Sequence, residues 1–298
     1  MYFGTVIFVA IVASASALLE VTPSRGYHEE VGIPLAASIR KAEDEALAKA
    51  SEADNNIHRI VGGVLAPANE HPYLAGLLID LVNTAGQSVC GSSLLSTNRL
   101  VTAAHCWYDG VGQAWRFTVI LGTQFLFWGG RRISTSEVFM HPQWNPSNLS
   151  NDVAMIYLPV DITFSNNIQP IPLPDATQLR NTYTGQWAVA AGFGRTSDSQ
   201  VGASSVISHV SLQVISETQC RVVFGEGFVF PSTLCTSGIG GVGLCGGDSG
   251  GPLVVTQDGQ KHLIGISSFV AANNCQGGHP SAFARVTSFM NFIQQNLW

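Results

Sequence analysis

The sequence has few charged side chains, because Asp, Glu, Lys and Arg together make up only 11% of the 298 residues. An average soluble protein contains about 25%. The net charge of −6 divides equally between residues 18–59 and 60–298, and neither part has a basic patch that suits a phosphate backbone. Glycine is abundant, with 31 residues. This composition argues against a disordered or nucleic-acid-binding protein and is typical of a compact, loop-rich β protein.

Long apolar runs are also missing after the first residues of the chain. Residues 2–19 carry no charge and end near Ala15-Ser16-Ala17, a small-residue sequence of the kind that signal peptidase cuts. A membrane anchor is the alternative, but the apolar core is shorter than the roughly 20 residues that span a bilayer. We therefore predict a signal peptide over residues 1–17 and a secreted protein with no membrane contact.

Cysteine is absent from the first 59 residues, and an even number follows: Cys90, Cys106, Cys220, Cys235, Cys245 and Cys275. In a secreted chain this favours three disulfides, whose pairing the spacing leaves open. The C-x₂-C and H-E-x-x-H spacings of a zinc site do not occur. Residues 123–137 offer calcium a single carboxylate, Glu137. No metal and no cofactor is predicted.

The chain changes character near residue 59. Between Pro34 and Ala53, apolar and charged residues alternate with a helical period, which predicts a weakly amphipathic helix with a poor apolar face. The polar run 54–56 ends this pattern. Arg59 then precedes the apolar Ile60, so a trypsin-like enzyme could cut between them; an ordinary linker is the alternative.

Residues 60–298 contain short β runs separated by turn residues, as in a barrel or sandwich, and no fixed-period repeat. The predicted strands are Tyr73–Leu81, Arg116–Leu121, Ala154–Leu158, Trp187–Ala191, Ser208–Ile215, Pro252–Val255 and Leu263–Phe269. Within this part only the last segment is predicted to be helical, because Val286, Phe289, Met290, Ile293 and Leu297 form one apolar stripe.

The run Gly247-Asp248-Ser249-Gly250-Gly251-Pro252 is the most informative motif. Glycine and serine are ordinary turn residues. The glycines also let the backbone bend sharply, so that the Ser249 hydroxyl and nearby amides can point at one spot. Nucleophilic acyl transfer needs that geometry, with an attacking oxygen beside donors for the developing oxyanion.

Two further motifs could supply a base and an acid. His105 lies in a run of small residues beside Cys106, and in isolation it is best interpreted as a buried structural histidine. Asp152 precedes the apolar strand that begins at Ala154. An unpaired carboxylate is costly to bury there, so a histidine partner explains Asp152 better than a simple strand-end turn does.

The four motifs in order, Ile60-Val61-Gly62-Gly63, then Thr102–Cys106, then Asp152–Ile156, then Gly247–Pro252, resemble the trypsin/chymotrypsin family of secreted serine endopeptidases, in particular its chymotrypsin-like and elastase-like invertebrate digestive members. The resemblance covers residues 60–298. It implies an all-β fold of two six-stranded antiparallel β-barrels with a C-terminal helix, divided near residue 170. It also implies the disulfides Cys90–Cys106, Cys220–Cys235 and Cys245–Cys275.

The resemblance also implies the catalytic roles. Ser249 is then the nucleophile, His105 the general base and later acid, and Asp152 the group that orients the imidazole. The backbone amides of Gly247 and Ser249 form the oxyanion hole. The substrates are proteins and peptides, the protein acts as a monomer, and protein protease inhibitors are expected partners.

The resemblance further implies that residues 18–59 are an activation propeptide. Cleavage after Arg59 would free the Ile60 amine to pair with Asp248, and this pair would set the Gly247 amide and the pocket in place. The full-length chain is therefore expected to be nearly inactive. The propeptide has no cysteine to tether it after cleavage, which favours a digestive enzyme of the gut lumen over a protease of a regulatory or immune cascade.

Substrate preference depends on three pocket positions that depart from the trypsin pattern. Gly243 stands where trypsin-like enzymes have aspartate, so cleavage after Arg or Lys is not expected. Val270, two residues after Ser268, is expected to narrow the substrate pocket. Ser281, like Gly243, is expected to leave the bottom of the pocket uncharged. We predict cleavage after small to medium apolar residues, with aromatic residues as the alternative. A trypsin-like protease would then have to cut at Arg59.

Two questions stay open at this stage. Asn148-Leu149-Ser150 matches an N-glycosylation acceptor, but such motifs often go unused. The rival class is a non-catalytic binding homologue, which would typically lack His105, Asp152 or Ser249; all three are present.

Overall fold

The computed structural model describes residues 26–50, 64–67, 69–195, 206–271 and 275–297. The predicted signal peptide and the Arg59–Ile60 bond lie outside these residues. The predicted propeptide helix is present: a π-helical segment, His28–Gly32, leads directly into helix α1, Ile33–Ala50. Its apolar face is narrow, as the sequence indicates, with Leu35, Ala36 and Ile39 buried.

Two antiparallel sheets make up the body. The short strand β1 (Val64–Leu65) belongs to the second sheet. The first sheet contains β2 (Leu74–Leu81), β3 (Gln87–Leu94), β4 (Arg99–Thr102), β5 (Ala114–Leu121), β6 (Arg131–Thr135), β7 (Val138–Met140) and β8 (Ala154–Tyr157). Its order is β6-β5-β2-β3-β4-β8-β7. The two edge strands, β6 and β7, do not pair with each other, so this sheet stays open and forms a half-barrel.

The second sheet closes on itself. It contains β9 (Trp187–Gly192), β10 (Ser208–Ile215), β11 (Thr233–Thr236), β12 (Pro252–Gln257), β13 (Gln260–Phe269) and β14 (Ser281–Arg285). Because β9 pairs with both β10 and β12, these six strands form a closed barrel, and β1 pairs with Ser208 and His209 at the start of β10. The predicted all-β, chymotrypsin-like fold is confirmed.

The sequence pattern explains why these strands curl around a core. Along β10 the residues Val210, Leu212 and Val214 are buried, while Ser211 and Gln213 between them are exposed, which is the period-two pattern of a strand with one face in a core. In the first sheet Leu77 and Phe117 are fully buried in the same way.

One secondary-structure prediction was wrong. Besides the C-terminal helix, which is present as α3 (Met290–Gln295), residues Glu217–Phe224 form a helix, α2. A capping box starts it, in which the Ser216 hydroxyl accepts from the Gln219 amide and the Gln219 side chain reaches back to Ser216. The S-x-x-Q spacing that marks such a box was visible in the sequence.

The structure joins Cys90 to Cys106, Cys220 to Cys235, and Cys245 to Cys275, the three pairs that the resemblance implies. Within the described part of the chain, no helix combines the length and the apolar character needed to cross a membrane.

Candidate active site

The pairing of β4 with β8 brings His105 and Asp152 together. Thr102 at the end of β4 lies opposite Ala154 at the start of β8, so the residues just beyond these two ends become neighbours. A 3₁₀ turn follows β4 and carries His105, and Cys106 fixes this turn through its disulfide. Nδ1 of His105 lies 2.8 Å from Oδ2 of Asp152, and the His105 amide donates to Oδ1 over 2.9 Å. Two contacts therefore fix the orientation of the imidazole.

Asp152 has a third partner that the sequence analysis did not identify. The hydroxyl of Ser268, near the end of β13, donates to Oδ2 of Asp152 over 2.6 Å. The Asp152 side chain is only 1% exposed, and a buried carboxylate is stabilised when its oxygens accept hydrogen bonds. No local pattern signals this role, because Ser268 lies in an ordinary strand and the contact crosses between the two sheets.

Ser249 lies in a tight turn that both sheets hold. The carbonyl of Ser249 accepts from the Gly91 amide of β3 over 2.7 Å, and the next amide, of Gly250, donates to the Ser267 carbonyl of β13 over 2.8 Å. Gly250 has a φ of +76°, and a Cβ there would overlap the Thr102 hydroxyl. Only glycine allows the turn to approach the first sheet this closely.

The two amides predicted to form an oxyanion hole are available. Neither the Gly247 nor the Ser249 amide donates a hydrogen bond to any residue that the structure describes. A φ of +103° at Gly247 sets the backbone conformation of the turn. Unpaired amides beside a nucleophile are the donors that stabilise an oxyanion.

Asp248 is buried and lies between the turn and β9. Its carboxylate accepts from the Gly194 amide over 3.0 Å and the Cys245 amide over 2.9 Å. Burial raises its pKa to about 6, against the opposing effect of these two hydrogen bonds. Among the described residues no cation forms an ion pair with it. Its predicted partner, the Ile60 amine, lies outside them.

This burial has a measurable pH dependence. We expect the free energy of unfolding of the uncut chain, relative to that of an Asp248→Asn variant, to fall as the pH rises from about 4 to about 6. The folded chain binds the Asp248 proton more tightly than the unfolded chain, whose carboxyl has a pKa near 3.8, so ionisation destabilises the fold. The full difference should be about 3 kcal/mol. Urea unfolding of both proteins across this range measures it.

The comparison with the variant is needed because buried histidines act in the opposite direction. Burial lowers the pKa of His28 to about 4 and that of His71 to about 3. Both histidines therefore favour the unfolded chain as the pH falls below 6.5, the ordinary pKa of a histidine. Since both proteins contain these histidines, their effect cancels in the difference. A difference that stays constant across the range would contradict the prediction.

A cavity of about 220 Å³ lies beside Ser249. The predicted pocket residues Ser268 and Val270 line it, together with the Cys245–Cys275 disulfide. Gly243 and Ser281 are not among its lining residues, but they adjoin it. The Ser281 hydroxyl accepts from the amide of Leu244, a lining residue, over 3.0 Å, and a Cβ on Gly243 would lie 2.9 Å from the same oxygen.

Part of the predicted propeptide covers this site. Tyr27 and Glu30 line the same cavity as Ser249, and the Tyr27 ring packs edge-on against the His105 ring with 5.0 Å between centroids. The sequence analysis predicted the helix that follows Tyr27 but not its position on the protease body.

One group of possible metal ligands occurs in the described part of the chain, formed by Cys90, His105 and Cys106. The two sulfurs are joined in a disulfide, and Nδ1 of His105 is bonded to Asp152. The two sulfurs are therefore not available as thiolate ligands, and Nδ1 already has a partner, so this group is not a metal site.

A histidine oriented by a buried aspartate beside a serine in a glycine turn, where a half-barrel meets a closed β-barrel, is the arrangement of a serine hydrolase of chymotrypsin-like fold. Comparison with known proteins identifies its family. The protein-family model described as Trypsin matches residues 60–293. The chain therefore belongs to the trypsin family and is a serine endopeptidase that hydrolyses proteins.

Individual relatives are consistent with membership of this family. The chain is 35% identical over 238 residues to a collagenase of Hypoderma lineatum, covering 80% of this chain and 87% of that protein. It is 37% identical over 238 residues to brachyurin of Leptuca pugilator, covering 79% and 97%. The solved structure of HL collagenase superposes with a TM-score of 0.73 at 34% identity, covering 80% of this chain and 98% of that one.

Proposed function

We propose that this protein is a secreted endopeptidase, made as an inactive precursor, with Ser249 as nucleophile. The observation that carries the proposal is the buried His105–Asp152 pair beside the Ser249 turn. As the Ser249 oxygen attacks the scissile carbonyl carbon, Nε2 of His105 takes its proton and then gives it to the leaving amine. Asp152 keeps the proton on Nδ1 and stabilises the imidazolium.

The second half of the reaction uses the same groups. Water replaces the leaving peptide, His105 takes its proton, and the ester to Ser249 is hydrolysed. In both halves the amides of Gly247 and Ser249 bind the oxyanion of the tetrahedral intermediate. The free state of both amides, within the described residues, supports this role.

The precursor is proposed to mature by cleavage between Arg59 and Ile60, and the Ile60 amine then pairs with Asp248. The buried carboxylate, with its raised pKa and no cationic partner in the described part of the chain, supports this step. Arg59 does not suit a pocket without an acidic base, so the activating enzyme is a separate trypsin-like protease. A digestive role in the gut lumen, with regulation by protein inhibitors, is part of the proposal.

The cavity supports cleavage after small to medium apolar residues, with aromatic residues as the alternative. Val270 lines the cavity, and we infer that its branched side chain limits the size of the residue that can enter. The uncharged Gly243 and Ser281 adjoin it and offer no carboxylate to pair with an Arg or Lys side chain. Because one relative is named collagenase, native collagen belongs in the substrate panel beside short peptides.

A peptide library that varies the residue on the acyl side of the scissile bond tests this preference. In a Val270→Gly variant of the matured enzyme, we expect kcat/KM for phenylalanine relative to alanine at this position to rise about tenfold or more, since removing a side chain from a pocket wall changes discrimination by about 1–3 kcal/mol. Val160→Gly, at an exposed position, is the control. An unchanged ratio would show that Val270 does not limit the pocket.

A further inference from the structure

The segment 26–50 meets the catalytic residues directly, although it precedes the part of the chain that matches the family. The Tyr27 side chain is 7% exposed. Its hydroxyl donates to the carbonyl of Val89 over 2.8 Å and also lies in hydrogen-bonding reach of the Ser249 side chain. Its ring packs against that of His105. Tyr27 therefore occupies the space in which a substrate would have to approach both groups.

The contact with Tyr27 separates the imidazole of His105 from solvent and from Ser249. His105 is fully buried, and among the described residues its Nε2 has no hydrogen-bond partner, Ser249 included. Nε2 is the atom that must take the proton from Ser249 and later from water. With Tyr27 in place, neither solvent nor the nucleophile reaches it.

His28, the next residue, anchors Tyr27 to the protease body, and the two rings pack edge-on. Its amide donates to Asp109 over 2.9 Å, and its Nδ1 lies 2.9 Å from the Ser88 hydroxyl. His28 is fully buried, and burial lowers its pKa to about 4. The His28 ring is therefore neutral at physiological pH, and it packs between strand β3 and the loop that contains Asp109.

Helix α1 covers the oxyanion turn. Leu35 lies against Gly247, where an added Cβ would overlap its Cδ2 atom. Leu35 and Ile39 are buried in one cluster with Leu126 and Phe193 of the protease body. The segment therefore contacts the base, the nucleophile and one predicted oxyanion donor at once.

A second anchor lies two turns further along α1. The Glu43 side chain is fully buried, and its two oxygens accept from the amides of Leu126 and Phe127 over 2.6 and 2.8 Å. Next to it, Asp44 accepts from the indole of Trp128 over 3.1 Å. A carboxylate that pairs with two successive backbone amides specifies one position of the helix on this loop.

We propose that residues 26–50 are an inhibitor of the matured protease and not only a segment that cleavage removes. This rests on the proposed endopeptidase function and adds a second control step to it. After cleavage at Arg59–Ile60, the segment stays bound through Tyr27, Leu35 and Glu43, and hydrolysis begins when it dissociates. It contains no cysteine, so non-covalent contacts alone hold it, and dilution can release it.

The test uses the full chain with residues 55–59 replaced by the enteropeptidase recognition sequence, because a general trypsin would also cut at the exposed Arg40 and Lys41. After complete cleavage before residue 60, hydrolysis of a peptide substrate is measured over a dilution series. We expect the activity per molecule to rise about tenfold or more between micromolar and nanomolar protein.

Three variants locate the contacts. Tyr27→Ala and Glu43→Ala should reach full activity at about tenfold higher protein concentration than the parent, whereas Glu45→Ala, an exposed neighbour on the same helix, should behave like the parent. All four proteins should have equal activity at the highest dilution, since residues 60–298 are unchanged. Activity that follows the cut fraction at every concentration, in parent and variants alike, overturns the inference and leaves the endopeptidase function intact.

A second readout does not depend on activity. In a Ser249→Ala background, the cut segment should co-elute with the protease body in size-exclusion chromatography at micromolar concentration, and Glu43→Ala should separate them. Co-elution from a parent protein that is inactive at all dilutions would support binding of the segment and count against the proposed function. Separation of the segment from the Ser249→Ala body itself would overturn the inference.

Discussion

The matured Ser249→Ala enzyme is expected to lose at least about 10⁴-fold in kcat/KM for peptide substrates, because no other group can form the acyl intermediate. The turn that carries Ser249 is held by Gly91 on one side and Ser267 on the other. A hydroxyl-to-hydrogen change there leaves those backbone contacts in place. The measurement is the rate of peptide hydrolysis at matched concentrations of folded protein, after the cleaved segment has been removed.

The matched control is Ser211→Ala, which makes the same chemical change on the exposed face of β10 and should leave kcat/KM unchanged. A fluorophosphonate that labels active-site serines should modify the matured parent and the Ser211→Ala protein but not Ser249→Ala. If Ser249→Ala kept activity within about tenfold of the parent, another residue would have to be the nucleophile. Absence of both labelling and hydrolysis in the matured parent would favour the non-catalytic binding class.

The sequence predicted those parts of the site that local motifs carry. His105, Asp152 and Ser249 each lie in a short run whose composition sets its backbone: small residues around His105, the start of an apolar strand after Asp152, and glycines around Ser249. Antiparallel pairing of β4 and β8 then brings the first two together. The strand predictions held for a similar reason, because short apolar runs bounded by turn residues are a local signal.

The parts that were missed depend on contacts between distant segments. Ser268 gives no hint in its own strand that its hydroxyl meets Asp152. The helix of the predicted propeptide was expected from its period, but that period does not distinguish Glu43 from the other charged residues of the helix. Its burial depends on the amides of Leu126 and Phe127, and nothing in the helix sequence specifies that loop. Docking surfaces of this kind become visible only when the fold is known.

Asp248→Asn is expected to lower kcat/KM of the matured enzyme by about 10²–10⁴-fold, although Asp248 does not take part in the chemistry. Asp248 is proposed to pair with the Ile60 amine in the matured enzyme. Removing one partner of a buried ion pair typically costs about 3–5 kcal/mol, and we expect that cost to disfavour the backbone conformation of residues 247–249 that catalysis needs. Asp248 lies between Gly247 and Ser249, so its position sets the amides of the proposed oxyanion hole. Asparagine can retain one acceptor for the Gly194 or Cys245 amide, but it cannot neutralise the Ile60 amine. The measurement is peptide hydrolysis by matured protein whose new N-terminus has been verified by intact mass.

Asp258→Asn is the matched control, since Asp258 is exposed and its φ of +50° is one that asparagine also adopts readily. It should leave kcat/KM unchanged. Separate values of kcat and KM distinguish two explanations of a loss of activity in Asp248→Asn. If the proposed ion pair acts by forming the oxyanion hole, kcat should fall by a larger factor than KM rises, and labelling by a fluorophosphonate should slow in parallel. A rise in KM alone would instead place the effect in the pocket beside Val270. Full activity of the matured Asp248→Asn enzyme would show that the turn keeps its catalytic conformation without the charge of Asp248.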